Sequence, residues 1–389
     1  MPRRLILIAC LTTLLGVFAA ACGSDDGIPD ASGPSGQALS ADPPAAESDG
    51  PAITDTDGKA FNAAEVYREA VPGVISVRSI FEGGAGEGSG FVLTDEGEIV
   101  TNAHVITDGE GEDRTEAQQV FVEFYDQNVV SAEIIGFDPF NDVGLLKVDP
   151  DEVDLTPLPI TDSENAIVGQ PIAVIGSPFS EDYSLSTGVV SQVGRSVRSL
   201  TDFQIEGAIQ TDASINPGNS GGPMLDGNGN VLGISQQIKG SSGSSDGVGF
   251  GVPSNAIVGS VDQLRENGEA SYAYIGVSTQ PIYPQLAEKL GLGVENGALV
   301  GEVVEGGPAE KAGIRGGDDS ITFQAGRYQT GGDVIVSANG ESIERAEDLG
   351  RIIGALQPGD TVKLGVVRDG KKATVEIDLE ERPTALSAG

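Results

Sequence analysis

The sequence predicts a mainly β protein of barrel type. Two observations carry this prediction. Short runs rich in β-branched and apolar residues recur along most of the chain, separated by Gly- and Asp-bearing turns, which is how barrel strands are written. Helical patterning appears only in brief, isolated segments, so the alternating strand–helix order of an α/β fold is missing. With 389 residues the chain has room for two or three domains and a sizeable core.

The chain opens on a targeting segment. Arg3 and Arg4 form a short basic region, residues 5–18 are apolar, and Ala19, Ala20 and Ala21 place small residues ahead of Cys22. The apolar stretch is short for a membrane span and has a signal peptide's flanks, so residues 1–21 are read as a signal peptide. A cysteine directly after small residues resembles a bacterial lipobox. Cys22 is therefore the expected lipidation site and the anchor to the cell membrane; a plain secreted form and an uncleaved anchor are the alternatives. Residues 22–60 are rich in Gly, Ser, Pro, Ala and Asp, and after Cys22 eight acidic residues face only Lys59. Such a stretch buries too little apolar surface to fold and predicts a disordered tether, spanning about 35 Å on average.

Order begins at Phe61. Residues 62–71 read as a helix, with Asn62 its cap and Pro72 its stop. Strands are predicted over 73–80, 88–94, 99–103, 120–125, 129–136 and 143–148, with 107–119 a polar, acidic loop. A second set covers 172–189, 203–210, 231–238 and 247–252. Residues 226–230, Asp-Gly-Asn-Gly-Asn, have a calcium loop's residue types without its spacing and read as a hairpin turn. Residues 258–269 read as a helix leading out of this body.

One stretch stands apart. Residues 211–223 (TDASINPGNSGGP) set Ser220 among glycine, asparagine and proline. These letters also spell a surface turn, and Gly218 to Gly222 fits the G-x-S-x-G elbow of α/β-hydrolases. A serine hydroxyl is a weak nucleophile until a base takes its proton, usually histidine. The chain holds one histidine, His104, and none follows Ser220, which excludes the hydrolase order. The chymotrypsin order is His–Asp–Ser, and Asp142, at the head of the apolar run 143–148, is the candidate carboxylate between the two.

Three blocks, Thr101-Asn102-Ala103-His104-Val105, Asn141-Asp142-Val143-Gly144-Leu145-Leu146-Lys147 and Gly218-Asn219-Ser220-Gly221-Gly222-Pro223, resemble the catalytic blocks of the HtrA (DegP-like) serine proteases. The resemblance covers roughly residues 62–382; Gly144 departs from it, where the family more often has alanine. It implies a double six-stranded β-barrel (chymotrypsin-like) over 61–260, with His104 and Asp142 in the first barrel and Ser220 in the second. A linker (261–271), an α+β PDZ domain (272–382) and a short tail (383–389) follow. The PDZ part rests on Tyr274-Ile275-Gly276-Val277, on Gly307-Pro308-Ala309 through Ile314, on Gly331-Gly332-Asp333-Val334-Ile335 and on Ala338-Asn339-Gly340. Residues 319–330 have no counterpart in the family pattern.

The resemblance also implies roles. Ser220 attacks the peptide carbonyl, His104 moves the proton, Asp142 orients the imidazole, and backbone N–H groups of Gly218 and Ser220 form the oxyanion hole. Ser214 stands six positions before the nucleophile, where trypsin-like enzymes keep an aspartate, which speaks against basic specificity. Val248 and Phe250, in the 247–253 segment, are expected on the wall of a pocket for small or medium apolar side chains. Tyr274, Ile275, Gly276 and Val277 are expected to hold the C-terminal carboxylate of a peptide added to a sheet edge. Leu349, Ile352, Ile353 and Leu356 fall on one side of a helix over 345–356, as groove wall or as core. A homotrimer is implied as well.

Composition narrows the partners. A formal charge of −37 argues against nucleic acid and against adhesion to an anionic membrane surface. Both cysteines, Cys10 and Cys22, lie at the leader, so the mature domains have no disulfide and no thiolate metal site. With a single histidine besides, no metal or cofactor is expected. The function implied is endopeptidase action on unfolded or damaged extracytoplasmic proteins, with peptide C-termini bound at the PDZ groove. The alternative is a non-proteolytic holdase or sensor on a protease scaffold.

Overall fold

The computed structural model describes residues 60–177, 183–216, 218–236, 247–324 and 326–385. The signal segment, Cys22 and the acidic tether through residue 59 lie outside the described residues, as do 386–389 of the tail. Helix α1 (Ala63–Ala70) starts where the Asn62 side chain accepts a hydrogen bond from the Glu65 amide, 3.2 Å. Pro72 ends it in a single 3₁₀ turn, and Val66 and Ala70 face inward.

Six antiparallel strands then close a first barrel: β1 (Val74–Phe81), β2 (Gly84–Val92), β3 (Glu98–Thr101), β6 (Gln119–Glu123), β7 (Val129–Asp138) and β8 (Val143–Lys147), in the order β1-β2-β3-β8-β7-β6. All six were legible in the sequence. The strand expected to reach residue 103 stops at Thr101, and the chain turns into a short helix, α2 (Ala103–Ile106), which carries His104. Thr107 Oγ1 donates to the Ala103 carbonyl at 2.7 Å and so closes that turn. The polar loop beyond holds a two-residue ribbon, β4 (Thr107–Asp108) with β5 (Thr115–Glu116).

The second barrel closes in the order β10-β11-β14-β13-β12-β9. Its strands are β9 (Pro171–Gly176), β10 (Ser184–Arg198), β11 (Gln204–Thr211), β12 (Pro223–Leu225), β13 (Val231–Gln236) and β14 (Gly249–Pro253). The run expected over 172–189 is two strands. Strand β12 was not anticipated, because three residues beginning with proline carry no strand pattern. Asp226 Oδ1 accepts from the amides of Asn228 and Asn230, each at 2.9 Å, making residues 226–230 the hairpin turn between β12 and β13.

One apolar cluster joins the barrels: Val74, Phe91, Val100 and Leu145 from the first meet Ile175, Val231, Ile234 and Val252 from the second. Helix α3 (Ser254–Asn267) starts four residues earlier than expected and adds Ile257, Val261 and Leu264 to that cluster. It lies against the body where the sequence suggested a segment leading out. Each such buried aliphatic side chain contributes about 1.5–3 kcal/mol through burial.

The PDZ unit is built from β15 (Ala273–Tyr274), β16 (Val277–Pro281), α4 (Pro284–Leu290), β17 (Ala298–Val303), α5 (Pro308–Lys311), β18 (Asp319–Phe323), β19 (Gly326–Thr330), β20 (Val334–Ala338), β21 (Glu341–Ser342), α6 (Ala346–Gly354), β22 (Thr361–Arg368), β23 (Lys371–Asp378) and β24 (Glu380–Glu381). Its main sheet runs β16-β17-β20-β22-β23, which leaves β16 at an edge. The unmatched residues 319–330 form the separate hairpin β18–β19. Leu349, Ile352 and Ile353 of α6 are buried in this unit's own core, while Leu356 packs at its margin.

Where this unit meets the barrels the contact is aromatic and polar. The Arg382 guanidinium lies 5.1–5.6 Å from the ring centres of Phe140, Phe203 and Tyr272. Beneath it, the fully buried Asp138 carboxylate accepts from Tyr272 Oη (2.5 Å), Ser260 Oγ (2.6 Å) and the Phe140 amide (2.8 Å). Burial pushes the Asp138 carboxyl above its ordinary range, against the pull of the Ser260 and Tyr272 hydroxyls.

Candidate active site

Asp142 is the fixed point of the site. It stands immediately before β8 in the left-handed region, φ 55°, a conformation that aspartate tolerates better than most residues. Asn102 Nδ2 donates to its carbonyl at 2.8 Å and holds it there. Its side chain is fully buried and accepts twice from one residue: His104 N to Oδ1 at 2.9 Å, and His104 Nδ1 to Oδ2 at 2.8 Å. A carboxylate has only acceptors, so the nitrogen facing it carries the proton, which leaves Nε2 as the basic nitrogen. The imidazole itself is 32% exposed, so a sealed carboxylate orients a ring that remains open to the cleft.

A third donor comes from the other barrel. Gln236 Nε2 lies 3.0 Å from Asp142 Oδ2, at the end of β13. Its neighbour Ser235 organises the serine loop: Ser235 Oγ donates to the carbonyls of Asn219 (2.5 Å) and Gly222 (3.1 Å), and the Ser235 carbonyl accepts from the Gly221 amide (2.9 Å). Ser220 is 4% exposed. Gly218 has φ 97° and Gly221 φ 87°, a region in which side chains are strained. At Gly221 a Cβ would stand 2.1 Å from the Ser89 carbonyl oxygen, so only glycine lets the loop reach the first barrel. Pro217 lies outside the described residues.

Arg114, in the loop beyond α2, donates from Nη1 to Thr107 Oγ1 at 2.8 Å, backing the turn that carries His104. Burial pulls its guanidinium below the usual range, and the negative charge of Asp142 opposes that shift.

The pocket candidates lie on neighbouring segments, with Thr211 opposite Gly249 in the strand pairing. Ser214 is exposed, Val248 is 49% exposed, and Phe250 is half-buried on β14, opposite Gln236. Ile215, not singled out in the sequence, is buried, and its Cδ1 lies 2.7 Å from where a Cβ on Gly249 would be. In the PDZ unit, Tyr274 and Val277 are half-buried, Ile275 is buried and Gly276 has φ 77°. The carbonyls of Ile275 and Gly276 accept from the amides of Ala309 and Val304, each at 2.9 Å, which fixes this loop where the edge strand β16 begins. Sequence reasoning missed Ser89, Asn102, Ser235 and Gln236, since a polar residue inside a strand pattern gives no sign of what it will face.

The chain matches two known domain families: "Trypsin-like peptidase domain" over residues 88–234 and "PDZ domain" over 273–379. It is 40% identical over 296 residues to a probable periplasmic serine endoprotease, DegP-like, of Marinomonas sp. (strain MWYL1), covering 76% of this chain and 57% of that protein. It is 37% identical over 330 residues to the chloroplastic Protease Do-like 1 of Arabidopsis thaliana, covering 82% of this chain and 71% of that one. The chain thus spans little more than half the length, 57%, of the Marinomonas relative. Among solved structures it resembles the HtrA-type protease AlgW with a tripeptide, at a TM-score of 0.70 and 29% identity, covering 83% of this chain and 98% of that one.

Proposed function

The chain belongs to the HtrA (DegP-like) family of serine endoproteases, and from that premise we propose that it hydrolyses peptide bonds in unfolded or damaged extracytoplasmic proteins. Ser220 Oγ attacks the scissile carbonyl while His104 Nε2 takes its proton and returns it to the leaving amine. Asp142 holds the ring and stabilises its charged form. The amides of Gly218 and Ser220 receive the oxyanion, each such donor contributing about 2.7–4 kcal/mol to the transition state. The observation that carries this reading is the double grip of Asp142 on His104, at Nδ1 and at the backbone amide.

Around this chemistry we place the remaining functions. The edge strand β16 and the loop from Tyr274 to Val277 accept a peptide C-terminus for substrate capture or regulation, a reading supported by the unpaired sheet edge. Ser214, Val248 and Phe250 border a pocket for small or medium apolar side chains. Lipidation of Cys22 tethers the protein at the cell membrane, and the assembly is a homotrimer, as the family resemblance implies.

Digestion of an unfolded protein by the wild type and by Ser220→Ala, with the cleavage sites sequenced, tests the reading. Cleavage by the wild type alone is expected. Turnover that survives Ser220→Ala removes the serine mechanism. A wild type that neither cuts nor reacts with a fluorophosphonate probe leaves the non-proteolytic scaffold.

A further inference from the structure

One residue of the first barrel enters the serine loop of the second. Ser89, on β2, is fully buried, and all its polar atoms are engaged. Its amide donates to the Ser220 carbonyl at 2.8 Å, and its carbonyl accepts from Thr101 Oγ1 at 2.7 Å. Its hydroxyl accepts from the Ser177 amide at 2.8 Å and donates to the Gly218 carbonyl at 2.6 Å. The direction of that last bond is forced. An amide N–H only donates and a carbonyl only accepts, so the hydroxyl proton must point at Gly218.

From this geometry, and resting on the protease reading above, we propose that Ser89 is a positioning residue that sets the oxyanion loop of Ser220. Gly218, at φ 97°, has no side chain to hold its torsions. Its carbonyl is pinned by Ser89 Oγ, and the peptide that follows is pinned again by Asn219 N donating to Asn216 O at 3.0 Å. Holding that peptide, together with the Ser89 amide on the Ser220 carbonyl, fixes the loop on both sides of Asn219 and so limits where it can present its oxyanion donors. Ser235 braces the other half of the loop, but from within the same barrel. The Ser89 bonds form only when the two barrels are docked, so Ser89 makes a competent oxyanion hole conditional on correct docking. Ser76 supplies the comparison: it is also buried on the first barrel and bonds across to the second, Oγ to the Ser177 carbonyl at 3.0 Å, without touching the serine loop.

The test compares wild type, Ser89→Ala, Ser89→Cys and Ser76→Ala on a chromogenic peptide derived from a sequenced cleavage site. Thermal midpoints and inhibition by the matching peptide aldehyde, whose adduct places an oxyanion in the hole, are measured alongside. Ser89→Ala is expected to lower kcat roughly tenfold or more with KM within about twofold, and to weaken the aldehyde by a similar factor. Ser89→Cys, a weaker donor, falls between, and Ser76→Ala keeps kcat even where its midpoint drops as far. A kcat loss in Ser89→Ala no larger than in Ser76→Ala, or an effect on KM alone, overturns the proposal. If Ser89→Ala does not fold, Ser89→Cys decides, and a wild-type kcat in it overturns the proposal. A wild type without turnover overturns instead the protease reading on which it rests.

Discussion

His104, Asp142 and Ser220 were legible as candidates because the chain holds a single histidine, around which the other two could be sought. A lone histidine upstream of a serine excludes the α/β-hydrolase order, and a carboxylate between the two then stands out at the mouth of an apolar strand. Gln236 and Ser89 were not legible. Both sit in strands, and what they bond to is set by how two barrels meet. Gly144, the departure from the family pattern, has a physical setting: a Cβ there would lie 2.7 Å from Ile106 Cδ1 and 3.3 Å from Thr101 Cγ2. The nearest atom ends a side chain and can shift by a χ2 change, while the buried Ile106 Cγ1, at 3.2 Å, must give by a few tenths of an ångström. Against that crowding, alanine restricts the unfolded chain, a gain of about 0.4–1 kcal/mol. Gly144→Ala is therefore expected to leave stability within about 1 kcal/mol of wild type, measured by denaturant unfolding, with peptidase activity retained.

At the scale of elements, the strands of the first barrel and most of those of the second were readable from β-branched runs, β12 excepted, and α1 from its cap and stop. The start of α3 was misplaced because Ser254 and Asn255 follow proline and carry no apolar period. That helix is pinned to β3 by Arg265, whose Nε and Nη2 reach the two Glu98 oxygens at 2.8 and 2.7 Å. The pairing holds the Glu98 carboxyl below its usual 4.5. A lowered carboxyl stabilises the fold above its unfolded value and loses that contribution as pH falls through the folded one. Arg265 is 38% exposed, which limits the pair to about 0.5–1 kcal/mol. Glu98→Gln is expected to lower the thermal midpoint slightly at neutral pH, with the difference narrowing as pH falls below 4.5 and through the lower folded value.

For the whole molecule, the candidate triad is divided between barrels that share one apolar cluster, so the proposed site depends on that shared core. The junction with the PDZ unit was invisible in the sequence, since Asp138, Tyr272 and Arg382 are far apart along the chain. Tyr272 Oη donates to Asp138 and accepts from Asn141 Nδ2 at 2.7 Å, one residue from Asp142. Tyr272→Phe keeps the ring against Phe140 and Arg382 but removes one of the donors to the buried Asp138 carboxylate, which retains Ser260, Asn141 and the Phe140 amide. It is expected to cost about 1–3 kcal/mol in denaturant unfolding at neutral pH.

Strand β15 pairs with β24, Ala273 beside Glu381, and the Arg382 amide bonds back to the Tyr272 carbonyl at 2.8 Å. The PDZ unit therefore leaves and rejoins a single point, like a pendant on one clasp. Residues gained or lost inside it do not alter the span between its ends. The β18–β19 hairpin is such a change, accommodated without moving either end of the clasp. The same adjacency makes the unit a natural piece for exchange between relatives, or for a permuted chain cut within the hairpin and closed at the clasp.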